Sequence, residues 1–122
     1  MKEYSFEELL HKAASYCSIS EHCISEVKLK LKAWGLEDDK SDKIIDRLTS
    51  EDFINEKRYC MAFVKDKFQF NKWGKIKISY ALQQKGIDNK LITQALNSID
   101  DGKYEEMLGD ILKSKLKNLK WE

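Results

Sequence analysis

The stretch that decides the fold is residues 55–88, NEKRYCMAFVKDKFQFNKWGKIKISYALQQKGID. It opens on a helix-capping residue, Asn55, and closes on Gly86 and Asp88, a helix stop followed by another cap. Between them, apolar side chains recur at the three- and four-residue spacing of a buried helix face. The pattern predicts one helix after Asn55 and a second over about residues 75–85.

The same stretch carries most of the positive charge that nearby acids leave unbalanced. Residues 57–86 hold eight Lys and Arg against one acid, Asp66, whereas residues 1–56 hold eight bases and thirteen acids. Six aromatic residues are interleaved with these bases: Tyr59, Phe63, Phe68, Phe70, Trp73 and Tyr80. A cationic block with aromatics is typical of a surface that meets a polyanion, and a solvated helix face would look similar on charge alone.

An internal duplication extends this pattern to the first half of the chain. When Gly35 is set on Gly86, an offset of 51 residues, five apolar pairs fall in register. The pairs are Leu31 with Leu82, Val27 with Ile78, Ile44 with Ala95, Ile45 with Leu96, and Leu48 with Ile99. A period near fifty with three helices per unit predicts a small helical repeat array.

The predicted fold is therefore all-α, with tandem three-helix units resembling helix-turn-helix modules and stacked into an elongated array. The units are residues 1–54, residues 55–100, and residues 101–122 as the first helix of an incomplete third unit. A capping box at Ser5 and Glu8 predicts a first helix over Phe6 to Tyr16, with Phe6 on its buried face. A seventh helix carries the apolar stripe Tyr104, Met107, Leu108, Ile111, Leu112, Leu116 and Leu119.

Composition limits the classes of protein that fit this sequence. The first twenty residues lack the basic start and apolar run of a secretory signal, and no apolar run approaches a membrane span. Three cysteines at irregular spacing argue against a disulfide framework and fit a reducing compartment. We therefore expect a cytoplasmic protein with no membrane contact.

Catalytic and metal-binding patterns are absent from the sequence. It contains no phosphate-binding glycine loop, no nucleophile elbow and no H-E-x-x-H zinc motif. His11, Cys17, His22 and Cys23 lack the spacing of a metal site, and acidic clusters such as Asp100-Asp101 stand at helix starts, where the helix dipole explains them. We expect no enzyme activity, no catalytic residue, no metal and no cofactor.

Several short motifs resemble the RecX family, bacterial regulators of the recombinase RecA. The resemblance rests on residues 55–59, 62–65, Gly74 and 82–88 in the second unit, and on Glu21-His22, Glu26-Val27, Leu31 and Gly35 in the first. Cys23 stands where the family commonly has a serine-like cap. The resemblance implies a non-enzymatic protein that docks in the helical groove of the RecA filament on DNA. There it would modulate, with inhibition expected, recombination, ATP turnover and the co-protease activity of the SOS response.

Charge and position suggest which residues would make this contact, either with the filament or with single- or double-stranded DNA. The candidates are Arg58, Lys65, Lys67, Lys72, Lys75 and Lys77, with Phe70 and Trp73 as aromatic anchors. Trp73 precedes the fifth helix among bases, where an aromatic side chain can stack on a nucleobase or cover a helix end. Trp34, on the apolar stripe of the second helix, is predicted to be core or an inter-repeat contact.

Two other functions fit the same pattern. In a helix-turn-helix reader of duplex DNA, residues 85–88 would form the turn and the next helix would enter the major groove. That helix has Lys90 as its only cation, which counts against this reading. A plain helical adaptor for an acidic protein partner is the other alternative.

Overall fold

The computed structural model describes residues 3–119, with side-chain surroundings to residue 117. Within that range the chain forms seven helices and no strand, which confirms the all-α prediction. The helices are α1 (Phe6–Ile19), α2 (Ile24–Ala33), α3 (Asp38–Ser50), α4 (Glu56–Gln69), α5 (Lys75–Gln84), α6 (Asn89–Asn97) and α7 (Asp101–Leu119).

The starts of α1, α4 and α6 follow the capping residues that the sequence offers. The Ser5 hydroxyl accepts from the Glu8 backbone N–H at 3.2 Å, and the Glu8 carboxylate accepts from the Ser5 N–H at 3.3 Å. Asn55 caps α4 and Asp88 caps α6, each accepting a first-turn N–H at 2.9 Å. The helix α1, predicted over about Phe6 to Tyr16, continues three residues further to Ile19.

The repeated glycines end α2 and α5 in the same way. Gly35 has φ +94° and Gly86 has φ +75°, a left-handed conformation that glycine adopts without a Cβ clash. In each unit the residue after the glycine donates its N–H to the leucine carbonyl five positions back. The distances are 3.0 Å from Leu36 to Leu31 and 3.4 Å from Ile87 to Leu82. The duplication seen in the sequence is thus repeated in backbone geometry.

Buried side chains form two clusters, one among α1–α3 and one among α4–α6, which we call the first and second units. Helix packing follows this division, since α1, α2 and α3 contact one another and α4, α5 and α6 do likewise. All five apolar pairs of the duplication lie in the two clusters, as buried members or packed against them. The exact limits at residues 54 and 100 stay predictions.

The expectation that Phe6 is buried is wrong, and the apolar stripe of α7 is largely exposed. Phe6, the first residue of α1, is 40% exposed, although it shares a helix face with the buried Leu9, Leu10 and Ala13. In α7, Met107 is buried but Leu108, Leu112 and Leu116 are exposed, because no other described helix packs along that face. The predicted stripe member Leu119, together with residues 120–122, lies outside the described side chains.

Membrane insertion has no candidate segment in this fold. Among residues 3–119, none of the helices combines the length and the apolar content needed to cross a bilayer.

Candidate functional site

Arg58 belongs to the joint, the contact between the first and second units. Its guanidinium Nε donates to the carboxylate of Glu21, and its Nη1 lies 3.1 Å from the Asp52 carboxylate. Its Nη2 donates to the Asp52 backbone carbonyl at 3.0 Å. The structure therefore places this predicted site residue between two acids of the first unit, where its charge is used within the molecule.

A second set of contacts crosses the joint around Glu26 of α2. Its carboxylate lies 3.3 Å from the Lys85 ammonium of the second unit and accepts the Cys23 backbone N–H at 3.1 Å. Burial alone would raise the pKa of Glu26, but the Cys23 N–H and Lys85 outweigh it, so the pKa is lowered. Cys23 is fully buried in the second cluster although it caps a helix of the first. The two units therefore contact each other through a buried side chain as well as through ion pairs.

Burial raises the pKa of two groups at the joint, Cys60 and Glu56. Burial raises the pKa of Cys60 to about 11, with the nearby Glu56 carboxylate adding to the effect. Burial also raises the pKa of Glu56, which the backbone N–H of Ile24 partly offsets. Among the residues that the structure describes, no group of three or more His, Cys, Asp or Glu side chains could hold a metal ion. Nothing in this region resembles a reactive thiol, since raised pKa and burial both suppress the thiolate.

Trp73 organises the basic surface of the second unit. The Lys67 ammonium lies 4.8 Å and the Lys77 ammonium 4.4 Å from the centre of its ring system. The half-buried indole meets Phe63 edge-on at 6.5 Å and packs against the second cluster. Attraction between a cation and a π face is favourable at partly exposed sites, so this one ring helps to position the ammonium groups of both Lys67 and Lys77.

Lys75 connects the second unit to α7. Its backbone N–H donates to the Tyr104 hydroxyl at 3.0 Å, and its ammonium lies 4.8 Å from the Tyr104 ring centre and 3.8 Å from Asp101. At the preceding residue, Gly74, an added Cβ would approach the Tyr104 hydroxyl to 3.2 Å. The absence of a side chain at Gly74 thus lets Tyr104 reach the start of α5.

The remaining predicted residues are exposed and lie near the cleft between α4 and α7 or in the turn after α4. Lys65 borders a cavity of about 410 Å³ whose apolar lining includes Val64 and Phe68. Lys72 has φ +55° and borders a smaller cavity that contains Glu106 and Asp110. Phe70, the residue after α4, is 77% exposed. These side chains are free to meet a partner without unfolding any helix.

The predicted residues are thus divided among four places, one of which is the exposed cleft and turn that hold Lys65, Phe70 and Lys72. Lys67, Trp73 and Lys77 come together, Lys75 is directed to α7, and Arg58 is directed to the joint. Sequence reasoning did not select two exposed residues of α5, Ile76 and Tyr80. Their four-residue spacing, on the side of the helix opposite Ile78 and Leu82, is the signal that could have found them.

Comparison with known proteins identifies relatives for most of the chain. Residues 55–96 match the model of RecX, second three-helix domain. The regulatory protein RecX of Prosthecochloris aestuarii is 27% identical over 100 residues, which cover 82% of this chain and 66% of that protein. The regulatory protein RecX of Clostridium botulinum strain Eklund 17B is 36% identical over 95 residues, which cover 78% of this chain and 44% of the relative. The chain therefore spans less than two thirds of either relative.

Solved structures agree with the sequence comparison. A crystal structure of RecX from Lactobacillus salivarius superposes with a TM-score of 0.80 at 29% identity, covering 93% of this chain and 73% of that one. A second structure, of regulatory protein RecX, gives a TM-score of 0.84 at 21% identity, which speaks for the fold alone. Taken with the paired glycines, the two clusters and the matched second unit, these likenesses confirm the resemblance to RecX regulatory proteins that the sequence motifs indicated.

Proposed function

We propose that this protein binds a RecA-type recombinase filament on DNA and modulates, with inhibition expected, its recombination, ATPase and SOS co-protease activities. The observation that carries the proposal is the basic surface of the second unit, where Lys67 and Lys77 share the Trp73 ring and Lys65 and Lys72 are exposed. Such a surface suits DNA phosphate or an acidic patch on the recombinase. It needs no catalytic residue and no cofactor.

The proposed place of action is the cytoplasm, where a recombinase filament assembles on bacterial DNA. Cys17, Cys23 and Cys60 are free and buried, as expected in a reducing compartment. The proposed mode of action uses the tandem units, because an array can follow a helical groove that a compact domain would touch at one point.

The test is ATP hydrolysis by the recombinase on single-stranded DNA, titrated with this protein. We expect the unaltered chain to change the rate of ATP hydrolysis at stoichiometric amounts. The triple variant K65Q/K72Q/K77Q should need at least tenfold more protein for the same effect, which corresponds to a loss of binding free energy on the order of 1.4 kcal/mol. Lys75 is left unchanged because its ammonium contacts Tyr104 and Asp101 of α7. The matched control K32Q/K40Q/K43Q removes three exposed lysines from the first unit and should behave as the unaltered protein. No response to the unaltered chain would refute the proposal.

The salt dependence of binding to naked single-stranded DNA separates phosphate contact from protein contact. If Lys65, Lys72 and Lys77 each meet a phosphate, the slope of log K against log salt should be about −2, and about −3.5 if Lys67 and Lys75 join them. A slope near zero would leave docking on protein as the source of affinity.

A second candidate function, reading of duplex DNA by α6, is favoured by one observation. The exposed face of α6 carries only polar side chains: Asn89, Lys90, Thr93, Gln94 and Asn97. Such amide and hydroxyl groups can read base edges in the major groove. A gel shift against mixed duplex sequences decides, because a duplex reader selects a preferred site without any recombinase present.

A further inference from the structure

Helix α5 presents a solvent face that combines apolar and positive side chains. Ile78 and Leu82 are fully buried, and the opposite side consists of Ile76, Lys77, Tyr80, Gln83 and Gln84, which we call the α5 outer face. Ile76 is 89% exposed and Tyr80 is 62% exposed, four residues apart on neighbouring turns. The whole helix contains no acidic residue.

Single exposed apolar residues are common, but this pair has features of an interaction site. The two side chains are adjacent, and Lys77 lies within one turn of both. The Lys77 ammonium is also held by Trp73 rather than by any acid that the structure places near it. An apolar centre bordered by a fixed positive charge is complementary to an apolar surface bordered by negative charge.

We propose that the α5 outer face docks on protein, namely an acidic surface with an apolar centre on a subunit of the recombinase filament. This proposal rests on the proposed function and deepens it by assigning one face of the molecule to protein contact. A branched aliphatic side chain such as Ile76 finds no counterpart on a phosphate backbone, whereas protein interfaces bury such groups at their centre. Tyr80 adds the kind of aromatic group in which interface hot spots are enriched.

The experiment compares two ligands and two matched double variants. Anisotropy titrations measure Kd for a recombinase filament assembled on single-stranded DNA with a slowly hydrolysed ATP analogue, and for the same DNA without recombinase. The test variant is I76A/Y80A. The control I19A/L29A removes two first-unit side chains of similar exposure, 85% and 69%. Unfolding midpoints of both variants should match the unaltered chain, since none of the four side chains is buried.

We expect I76A/Y80A to weaken binding to the filament about tenfold, as for loss of hot-spot residues, and to leave binding to naked DNA unchanged within about twofold. The control should change neither value. An equal loss on naked DNA would assign the α5 outer face to nucleic acid, and an equal loss in the control would make exposed apolar area in general responsible. Either result overturns the inference.

Two further outcomes separate this inference from the proposed function. If the unaltered chain binds the filament and I76A/Y80A binds it equally well, the inference alone fails. If the unaltered chain does not bind the filament, both fail together. Sedimentation of the protein without recombinase or DNA tests for self-association. A dimer that the I76A/Y80A substitutions dissociate would show that a second copy of this chain covers the α5 outer face, and would overturn the inference.

Discussion

The first and second units place different side chains at the same two positions beside their middle helices. His22 precedes the cap of α2 and Glu26 is the third residue of that helix, whereas Trp73 and Lys77 occupy these positions at α5. His22 stacks on Tyr16 at 3.8 Å and lies 3.5 Å from Glu26, which binds Lys85 of the second unit. The third position of the middle helix therefore joins the two units through Glu26 in the first unit, and presents the positive charge of Lys77 in the second.

The start of the middle helix is bound by a following helix in both units. At the start of α2, the Ile24 backbone N–H binds the Glu56 carboxylate, which stands at the start of α4. At the start of α5, the Lys75 backbone N–H binds the Tyr104 hydroxyl in the first turn of α7. In both cases a following helix supplies the acceptor that a helix N-terminus lacks. The comparison teaches that binding of the middle helix by a following helix is common to both units, whereas the charge at equivalent positions differs between them.

The largest expected effect tests whether the two units have equivalent cores. Leu31 and Leu82 are each fully buried, so Leu31→Ala and Leu82→Ala should each lower the free energy of unfolding by about 2–5 kcal/mol. Urea unfolding followed by circular dichroism measures both. Exposed Leu29→Ala in the same α2 helix serves as control and should stay within about 0.5 kcal/mol. A large cost at one leucine and a small cost at the other would break the equivalence.

A middle-sized effect tests whether Arg58 belongs to the joint. Arg58→Gln removes the contacts to Glu21 and Asp52, and one Glu21 carboxylate oxygen is already buried without a partner. Because the Arg58 side chain is 39% exposed and screened by solvent, we expect a loss of about 1–2 kcal/mol. The loss should shrink at high salt, which urea unfolding at two ionic strengths would detect.

Arg47→Gln supplies the control for that experiment. Arg47 pairs with Glu51 at 3.2 Å on the exposed face of α3, so its removal should cost no more than about 0.5 kcal/mol. If Arg58→Gln costs no more than this, the guanidinium does not stabilise the joint and is available to a partner, as the sequence suggested.

The smallest effect concerns the pH dependence of the joint at Glu26. Its pKa is lowered from the ordinary value of 4.5, so stabilisation by the ionised form is complete above that pH and is lost as the pH falls through the lowered value. Glu26→Gln keeps an acceptor for the Cys23 N–H but loses the Lys85 pair, which should cost about 0.5–1 kcal/mol at neutral pH. Urea unfolding between neutral and acid pH should show the difference fading in acid. A constant difference would assign it to packing instead of charge.

Local signals predicted the helices and their caps well. Ser5, Asn55 and Asp88 cap helices as expected, because a capping side chain bonds to backbone within its own first turn. The buried faces of α2 and α5 also follow from spacing within one helix. The stripe of α7 was found from its spacing, but its exposure was not predicted, because spacing shows that a face is apolar and does not show what covers it.

The candidate site was harder to predict for a related reason. A count of charges between residues 57 and 86 includes Arg58, although its acid Glu21 lies 37 positions away in the sequence. Trp73 was recognised as special, but its two lysines come from different helices, α4 and α5. Ile76 and Tyr80 were not selected, because the exposure of a side chain depends on which neighbouring helices pack beside it.

The sequence by itself determined the all-α fold, the duplicated unit and the excess of positive charge in its second copy, because helix periodicity, capping and charge are properties of nearby residues. Only the tertiary structure decided which cations pair with acids of the same molecule and which remain exposed. Arg58, Lys75 and Lys85 meet groups far away along the chain, whereas Lys67 and Lys77 meet a single indole. The physical reason is that the strength of an electrostatic contact depends on distance in space and on burial, and packing of helices sets both.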